Sequence, residues 1–144
     1  MTDPNTAKAS RTHGNIIPAL HYDDAKAAIE FLCRAFGFEK HAIYQNEDGI
    51  VEHAELVLGN GMIMLGQARD STYGKLTRRP NDIGGVTQSI YIIVPDADLH
   101  YARAVAASTE IVMPLEEQDY GGKVYSARDP EGHIWSFGTY DPFG

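Results

Sequence analysis

The sequence repeats itself in outline with a period equal to half of the chain's 144 residues. Residues 51–66 and residues 123–138 each alternate apolar and other side chains around a turn. The turn is Asn60-Gly61 in the first stretch and Asp129-Pro130-Glu131-Gly132 in the second. Proline fixes φ and glycine accepts positive φ, so both sequences favour a tight turn between two strands. The chain is therefore predicted to use one structural unit twice.

The first unit has the pattern β-α-β-β-β. A strand is predicted at residues 15–22, and Asp23-Asp24 then supplies an N-cap for a helix that ends at Gly37. The helix has one apolar stripe at i, i+3, i+4 and i+7, formed by Ile29, Leu32, Cys33 and Phe36. Three more strands are predicted at residues 38–45, 51–58 and 62–66.

The second unit repeats this order. Asp96 lies one full period after Asp24 and is predicted to cap the second helix. The polar segment between the units, with several glycines and a proline, is predicted to be a linker that could overhang a site. The predicted organisation is a mobile N-terminal tail, a first module, a linker and a second module at residues 1–14, 15–66, 67–85 and 86–140.

Size and charge exclude several classes of partner. A chain of 144 residues with 43% hydrophobic residues can bury one core. Its formal charge of −8 does not attract phosphate backbones, so nucleic acid is not an expected partner. The sequence has no apolar run of about 18 residues and no secretory h-region, so we expect a cytoplasmic protein without a membrane partner. A single cysteine, Cys33, excludes an internal disulfide.

Three segments resemble the glyoxalase/bleomycin resistance/dioxygenase family, also called the vicinal oxygen chelate superfamily: LHYDDAKAAIEFLCRAFGFE, QSIYIIVPDADLHYARAVAA and YGGKVYSARDPEGHIW. The resemblance covers residues 15–140 and is closest to the uncharacterised or antibiotic-resistance-like branch. It implies an α+β fold of two tandem βαβββ modules, whose curled mixed sheets surround a cup with helices on the convex side. It also implies a small-molecule ligand and a homodimer whose cups are completed by both chains.

Metal-dependent members of this family place ligands on the first and last strands of each module. By resemblance, these positions are Ile17 and Met64 in the first module and Ser89 and Ser136 in the second. None of the four is His, Asp or Glu, the residues that bind zinc or non-haem iron. We therefore expect no metal cofactor.

Strand alternation then selects the side chains that face the cup. His21 shares a face with Ile17, and Tyr91 shares one with Ser89, whereas Trp135 and Phe137 are expected to pack beneath the helices. Tyrosine and methionine suit a planar apolar ligand, although both are also common where a strand packs against a core. The predicted ligand-binding residues are His21, Tyr44, Met64, Ser89, Tyr91, Tyr125 and Ser136.

His53 and Glu55 form the pair with the most evident chemistry, because residues two apart on a strand share a face. Their predicted equivalents in the second module are Tyr125 and Ala127. A neighbouring imidazole and carboxylate can act as general acid and base near neutral pH. The pair is equally compatible with a solvated strand face or a subunit contact. A further alternative is an unorthodox metal site formed by His21, His53 and Glu55. The remaining histidines are expected to be ordinary surface residues, namely His13, His41, His100 and His133.

Two hypotheses follow for the function. The first is a metal-independent protein that binds a small molecule, in the manner of the bleomycin-binding branch, and sequesters an antibiotic or metabolite. The second is a glyoxalase-like lyase, isomerase or dioxygenase that uses a divalent metal or the His53/Glu55 pair. A ligand-sensing module without chemistry is a third possibility if side chains fill the cup.

Overall fold

A computed structural model describes residues 14–144 of the chain. The predicted N-terminal tail and His13 lie outside the described residues, apart from Gly14. None of the helices in the described part is long and apolar enough to cross a membrane.

The first module has the predicted β-α-β-β-β order. Its four strands form one mixed sheet in the order β1-β4-β3-β2, in which β1 runs parallel to β4 and the other pairs are antiparallel. The elements are β1 (Ala19–Tyr22), α1 (Ala25–Phe36), β2 (Glu39–Gln45), β3 (Val51–Leu58) and β4 (Gly61–Gln67).

The second module repeats this topology, with strand order β5-β8-β7-β6 and β5 parallel to β8. Between the modules, the linker contains a 3₁₀ turn (Gly74–Leu76) and a short helix α2 (Pro80–Ile83). The elements of the second module are β5 (Ile90–Ile93), α3 (Ala97–Ala106), β6 (Glu110–Glu117), β7 (Lys123–Arg128) and β8 (Ile134–Gly138).

Both long helices begin at the predicted aspartates. The side chain of Asp24 accepts a hydrogen bond from the Ala27 amide at 3.1 Å, and that of Asp96 accepts one from the Leu99 amide at 3.1 Å. Each carboxylate satisfies a free amide of the first helical turn. Gly37 ends α1 in the left-handed conformation, with φ of 83°.

The half-length repeat is confirmed where the first and last strands of each module meet. Ala19 pairs with Met64 in the first sheet, and Tyr91 pairs with Ser136 in the second. Each residue of the second pair lies one period after its counterpart in the first pair. The first strands are shorter than predicted, because pairing begins only at Ala19 and Ile90.

The repeat slips by one residue in β7. Glu55 pairs with Met64, whereas Ser126 pairs with Ser136, so the displacement of β7 from β3 is one residue less than the full period. Because side chains alternate along a strand, this slip reverses the face that each β7 residue occupies. Tyr125 and Ala127 are consequently fully buried in the core, and their predicted equivalence to His53 and Glu55 is wrong.

The two modules share one hydrophobic core. Phe36 at the end of α1 lies 5.8 Å from the Trp135 ring and 4.7 Å from the Phe137 ring of β8, measured between centroids. Trp135 and Phe137 are fully buried, as expected from strand alternation. His100 on α3 adds a polar link, since its Nε2 lies 2.8 Å from the Phe36 carbonyl and its Nδ1 lies 2.6 Å from the Tyr125 hydroxyl. His100 is thus a bridge between modules, not the ordinary surface residue expected.

A second link comes from the turn between β7 and β8. The buried carboxylate of Asp129 accepts hydrogen bonds from the Tyr22 hydroxyl at 2.7 Å and from Trp135 Nε1 at 3.1 Å. Glu131 accepts hydrogen bonds from the backbone amides of Asp23 and Asp24 immediately before α1. The second module therefore holds the start of the first helix in place.

Candidate functional site

The face of the first sheet that points away from the helices carries four of the predicted site residues, Tyr44, His53, Glu55 and Met64. On β4, Ile63 and Leu65 are buried beneath the helices, whereas Met62 and Met64 are only partly buried on the opposite face. Cross-strand pairing places Glu55 beside Met64. We call this surface the open face of the first sheet and define it by Tyr44, His53, Glu55, Met62 and Met64.

His53 and Glu55 interact directly on this face. His53 Nε2 lies 2.9 Å from Glu55 Oε2, and the two side chains are 40% and 25% exposed. Because a carboxylate only accepts, Nε2 carries a proton in this contact, and in the neutral imidazole Nδ1 is then an acceptor. Such a dyad can orient an imidazole that removes or shares a proton of a bound molecule.

His41 is a site residue that the sequence did not indicate. Its Nε2 lies 3.9 Å from Glu55 Oε1, the carboxylate oxygen that does not contact His53. A register shift between Lys40 and Ala42 in the β2–β3 pairing brings His41 to this position. No feature of the sequence marks that bulge, so strand alternation could not have found the contact.

Tyr44 supplies an exposed aromatic surface next to the dyad. It pairs with His53 across β2 and β3, and the two ring centroids are 5.8 Å apart. Tyr44 is 58% exposed, although it lies on a strand. With Met62 and Met64, it forms an apolar and aromatic border around a polar pair, which is the usual composition of a small-molecule site.

The second sheet has a corresponding face, which we call the open face of the second sheet. It carries hydroxyl and apolar side chains where the first sheet carries an imidazole and a carboxylate. We define it by Tyr91, Ile93, Ser126 and Ser136. The hydroxyls of Ser126 and Ser136 lie 2.6 Å apart, and the Tyr91 hydroxyl donates to the Tyr140 carbonyl at 2.7 Å. Partial burial raises the pKa of the Tyr91 phenol, so this group stays protonated at neutral pH.

Tyr125, a predicted ligand-binding residue, does not lie on either open face. It is fully buried, and its hydroxyl faces His100 on α3. Burial raises the pKa of the Tyr125 hydroxyl, with a smaller contribution from Tyr101. The structure therefore places Tyr125 in the core, as a consequence of the slip in β7.

His21 and Ser89 lie together beside the β1 edge of the first sheet. Both line a groove of about 430 Å³ between β1 and the segment that precedes β5. The linker residues Leu76 and Arg78 form part of its wall, so the linker does overhang a candidate site. Burial lowers the pKa of the His21 imidazole, and the nearby charges of Arg79 and Arg69 lower it further.

Comparison with known proteins identifies the family. Residues 18–137 match the model of the Glyoxalase/Bleomycin resistance protein/Dioxygenase superfamily. The chain belongs to this superfamily.

Relatives in the superfamily have similar length. An uncharacterized protein of Mycobacterium tuberculosis (strain H37Rv) is 31% identical over 147 residues, which cover 96% of this chain and 86% of the relative. The crystal structure of TioX from Micromonospora sp. ML1 is 32% identical, with a TM-score of 0.70, and the match covers 89% of this chain and 98% of that one.

A more distant structure shows the same fold. The fosfomycin resistance protein FosX from Listeria monocytogenes matches with a TM-score of 0.64 at 16% identity, over 92% of this chain and 98% of that one. At this identity the likeness concerns the fold alone.

The positions predicted from the superfamily's metal sites can now be located. Met64 and Ser136 lie on the open faces, next to Ala19 and Tyr91 on the first strands. Ile17 and Ser89 precede these strands and are exposed. Within residues 14–144, no group of three or more His, Cys, Asp or Glu side chains is arranged to hold a metal ion, and His21 is not grouped with His53 and Glu55 in this way.

Proposed function

We propose that this protein binds a small molecule on the open face of the first sheet without a metal ion, and that it sequesters an antibiotic or metabolite. The observation that carries the proposal is the arrangement of Tyr44 beside the hydrogen-bonded His53 and Glu55, with Met64 next to the carboxylate. Tyr44 offers a flat surface for a planar ligand, and the dyad offers both an acceptor nitrogen and a negative charge. A planar compound with a cationic or hydrogen-donating group fits this combination.

Binding without a metal is supported by the chemistry of the side chains on the strands that would hold one. Methionine sulfur and serine hydroxyl are poor ligands for the divalent ions that such sites use. Ser136 is moreover already hydrogen-bonded to Ser126. The prediction that the protein needs no metal cofactor is therefore part of the proposal.

We also propose that the protein is a homodimer in which each open face of the first sheet is covered by the open face of the second sheet of a partner copy. Tyr44, Tyr91, Ile93 and Met113 are between 40% and 61% exposed, although all four lie on strands. Exposed apolar side chains concentrated on a sheet favour association. A partner copy would convert two shallow faces into one enclosed cup.

The dimer can be tested by one charged substitution and a matched control. Ile93→Glu places a charge on the open face of the second sheet, whereas Leu99→Glu places one on the outer side of α3, where Leu99 is 70% exposed. Light scattering after size exclusion should give a monomer for Ile93→Glu and a dimer for Leu99→Glu and the unchanged protein. A monomeric unchanged protein would contradict this part of the proposal.

Ligand binding is best measured by isothermal titration calorimetry with a panel of bleomycin-like and other planar cationic compounds. Trp135 is fully buried, so its fluorescence does not report on the open face directly. Tyr44→Ala and Glu55→Gln should each weaken binding about tenfold, whereas Leu99→Ala should leave it unchanged. No binding across the panel, or equal binding by Tyr44→Ala, would count against the site.

A second candidate function is a lyase or isomerase that uses the His53/Glu55 dyad as a general base. The 2.9 Å contact between His53 Nε2 and Glu55 Oε2 favours it, because the carboxylate fixes the tautomer that leaves Nδ1 basic. A chelator-treated sample should then exchange an acidic C–H proton of an α-hydroxy carbonyl compound with solvent deuterium. His53→Asn should abolish that exchange, and absence of exchange in the unchanged protein would remove this candidate.

A further inference from the structure

The groove beneath the linker is a concave surface that combines polar and apolar side chains. It lies between β1 and the segment entering β5, has a volume of about 430 Å³, and its lining includes neither Tyr44 nor His53. Its polar lining includes His21, Arg78, Thr87, Ser89 and His133. Its apolar lining includes Leu76, Ile83, Val86 and Ile90.

Three groups near His21 lower the pKa of its imidazole through their charge, in addition to burial. Arg79, Arg69 and His133 each act on the His21 imidazole in the sense that opposes its protonation. Arg79 is paired with Asp23 at 3.0 Å, and Arg69 with Glu52 at 3.0 Å. The His21 ring itself contacts Tyr73, with centroids 5.5 Å apart, and has no hydrogen bond to any residue of the described chain.

Arg78 brings a further positive charge to the groove. One of its terminal nitrogens donates to the carbonyls of Lys75 and Thr77, at 3.1 and 2.8 Å. These bonds fix the guanidinium near the linker backbone and neutralise none of its charge. No carboxylate within residues 14–144 forms an ion pair with Arg78 (the ion pairs of this region involve Arg69, Lys75 and Arg79).

His133 is held in one orientation at the edge of the groove. Its Nε2 lies 3.2 Å from the His21 carbonyl and must donate, because a carbonyl only accepts. The Tyr22 ring packs against the His133 ring with centroids 4.8 Å apart. This anchoring joins β1 to the turn before β8, so the groove has a fixed wall from each module.

We propose that this linker groove binds a small organic anion, with a carboxylate or phosphate group between His21 and Arg78 and an apolar body against Leu76, Ile83 and Val86. The protein as a whole carries a formal charge of −8, so the positive charge of Arg78, which has no ion pair among the described residues, is a local exception at the groove. A guanidinium with free N–H donors suits both anionic groups, and Thr87 and Ser89 add hydroxyl donors.

Anion binding is linked to the protonation of His21. An anion beside the imidazole favours its charged form and raises its pKa. Arg79, Arg69 and His133 have the opposite effect on the pKa of His21. Asp23 and Asp82 pair with Arg79, and Glu52 pairs with Arg69, so these carboxylates partly offset the two guanidinium charges. Binding should consequently strengthen as the pH falls from 8 to 6, and the His21 ring signals should shift in the direction of protonation when the anion is added.

The test is an NMR titration of the histidine ring signals with hexanoate, hexyl phosphate, inorganic phosphate and hexanol. Hexanoate or hexyl phosphate should shift the His21 signal and bind at least tenfold more tightly than hexanol, and the preferred head group distinguishes a carboxylate site from a phosphate site. Inorganic phosphate should bind more weakly than hexyl phosphate, because it lacks the apolar body. Equal affinity for hexanol and the two anions, or no shift of His21, would overturn the proposal.

Variants separate binding in the linker groove from binding on the open face of the first sheet. Arg78→Gln and His21→Asn should each weaken anion binding at least fivefold, whereas Lys40→Gln, which removes a charge at the exposed Lys40–Glu30 pair, should not. An equal loss in Lys40→Gln would show that net charge alone is responsible and would overturn the proposal. Tyr44→Ala should leave anion binding intact, so failure of either site leaves the other testable.

Discussion

The β3–β4 and β7–β8 hairpins occupy equivalent places in the two modules but differ in length at the turn. In the first hairpin, Leu58 pairs with Gly61 across two intervening residues. In the second, Arg128 pairs with Ile134, and the intervening loop includes Asp129 and Glu131. The carboxylates of that loop accept hydrogen bonds from groups of the first module, whereas Glu55 on the first hairpin contacts His53 of its own strand on an open surface.

This difference shows that the two copies of a repeated unit can have different roles, one in stability and the other in presenting an open surface. The longer turn of the second hairpin fixes the core and the start of α1 through Asp129 and Glu131. The first hairpin carries the His53/Glu55 dyad on an open face, where Tyr44 of β2 lies beside His53. Four experiments test this division, in order of decreasing expected effect.

Removal of the Asp129 carboxylate should destabilise the protein most. Asp129→Ala leaves four donors without their acceptor: the Tyr22 hydroxyl, Trp135 Nε1, and the Glu131 and His133 amides. We expect a loss of about 4 kcal/mol in the free energy of unfolding, measured by urea denaturation. Asp70→Ala is the control, because that side chain is 88% exposed, and it should change stability by less than about 0.5 kcal/mol. Similar losses in both variants would contradict the role of Asp129.

Alanine substitution at Gly66 and Gly138, which are equivalent positions in the two hairpins, should have the second largest effect. A Cβ at Gly138 would lie 2.6 Å from the Val124 side chain and 2.7 Å from the Lys123 carbonyl, whereas a Cβ at Gly66 would meet the Glu52 carbonyl at 2.5 Å. We expect Gly138→Ala to cost about 3 kcal/mol and Gly66→Ala about 2 kcal/mol.

The control for these glycines is Gly85→Ala, because a Cβ there meets no atom within 4 Å. Its midpoint of thermal unfolding should match that of the unchanged protein. A thermal midpoint for Gly138→Ala as high as that of Gly85→Ala would show that the second hairpin is not packed as described.

Alkaline pH should weaken the link that the second hairpin makes to β1. Burial, and then the charge of Asp129, raises the pKa of the Tyr22 hydroxyl well above its ordinary value near 10. The unfolded chain therefore loses its proton first, and the free energy of unfolding should fall as the pH rises above about 10. Tyr22→Phe should lower stability at pH 7 by about 1 kcal/mol and make the alkaline decline shallower. An unchanged decline would contradict the assignment.

The smallest effect is expected on the open face of the second sheet. Ser136→Ala removes the 2.6 Å contact with Ser126 and should cost about 0.5 kcal/mol, measured by urea denaturation. It should also leave the metal content of the protein unchanged. A change in metal content would mean that Ser136 does take part in a metal site.

Much of the fold followed from the repeat and from strand alternation. The half-length period is confirmed by the equivalent places of Met64 and Ser136 opposite the first strands, and alternation predicted that Trp135 and Phe137 are buried. The prediction for Tyr125 was wrong, because the longer second turn shifts β7 by one residue and thereby reverses its faces.

The site could be predicted only in part, since local patterns reveal which residues share a strand face but not how distant segments meet. His53 and Glu55 were found because they are two residues apart on one strand. The contact of His41 with Glu55 depends on a bulge, and the approach of His133 to His21 depends on how the modules pack. Neither arrangement has a signature in the sequence.

Calorimetric titration of the unchanged protein and of Tyr44→Ala, both before and after complete removal of metal with a chelator, tests the central claim most directly. We predict that one compound of the planar cationic panel binds with the same affinity before and after chelation, and at least tenfold more weakly to Tyr44→Ala. Elemental analysis of the untreated sample should show no stoichiometric metal. About one equivalent of bound nickel, zinc or iron, together with loss of binding after chelation, would contradict the claim.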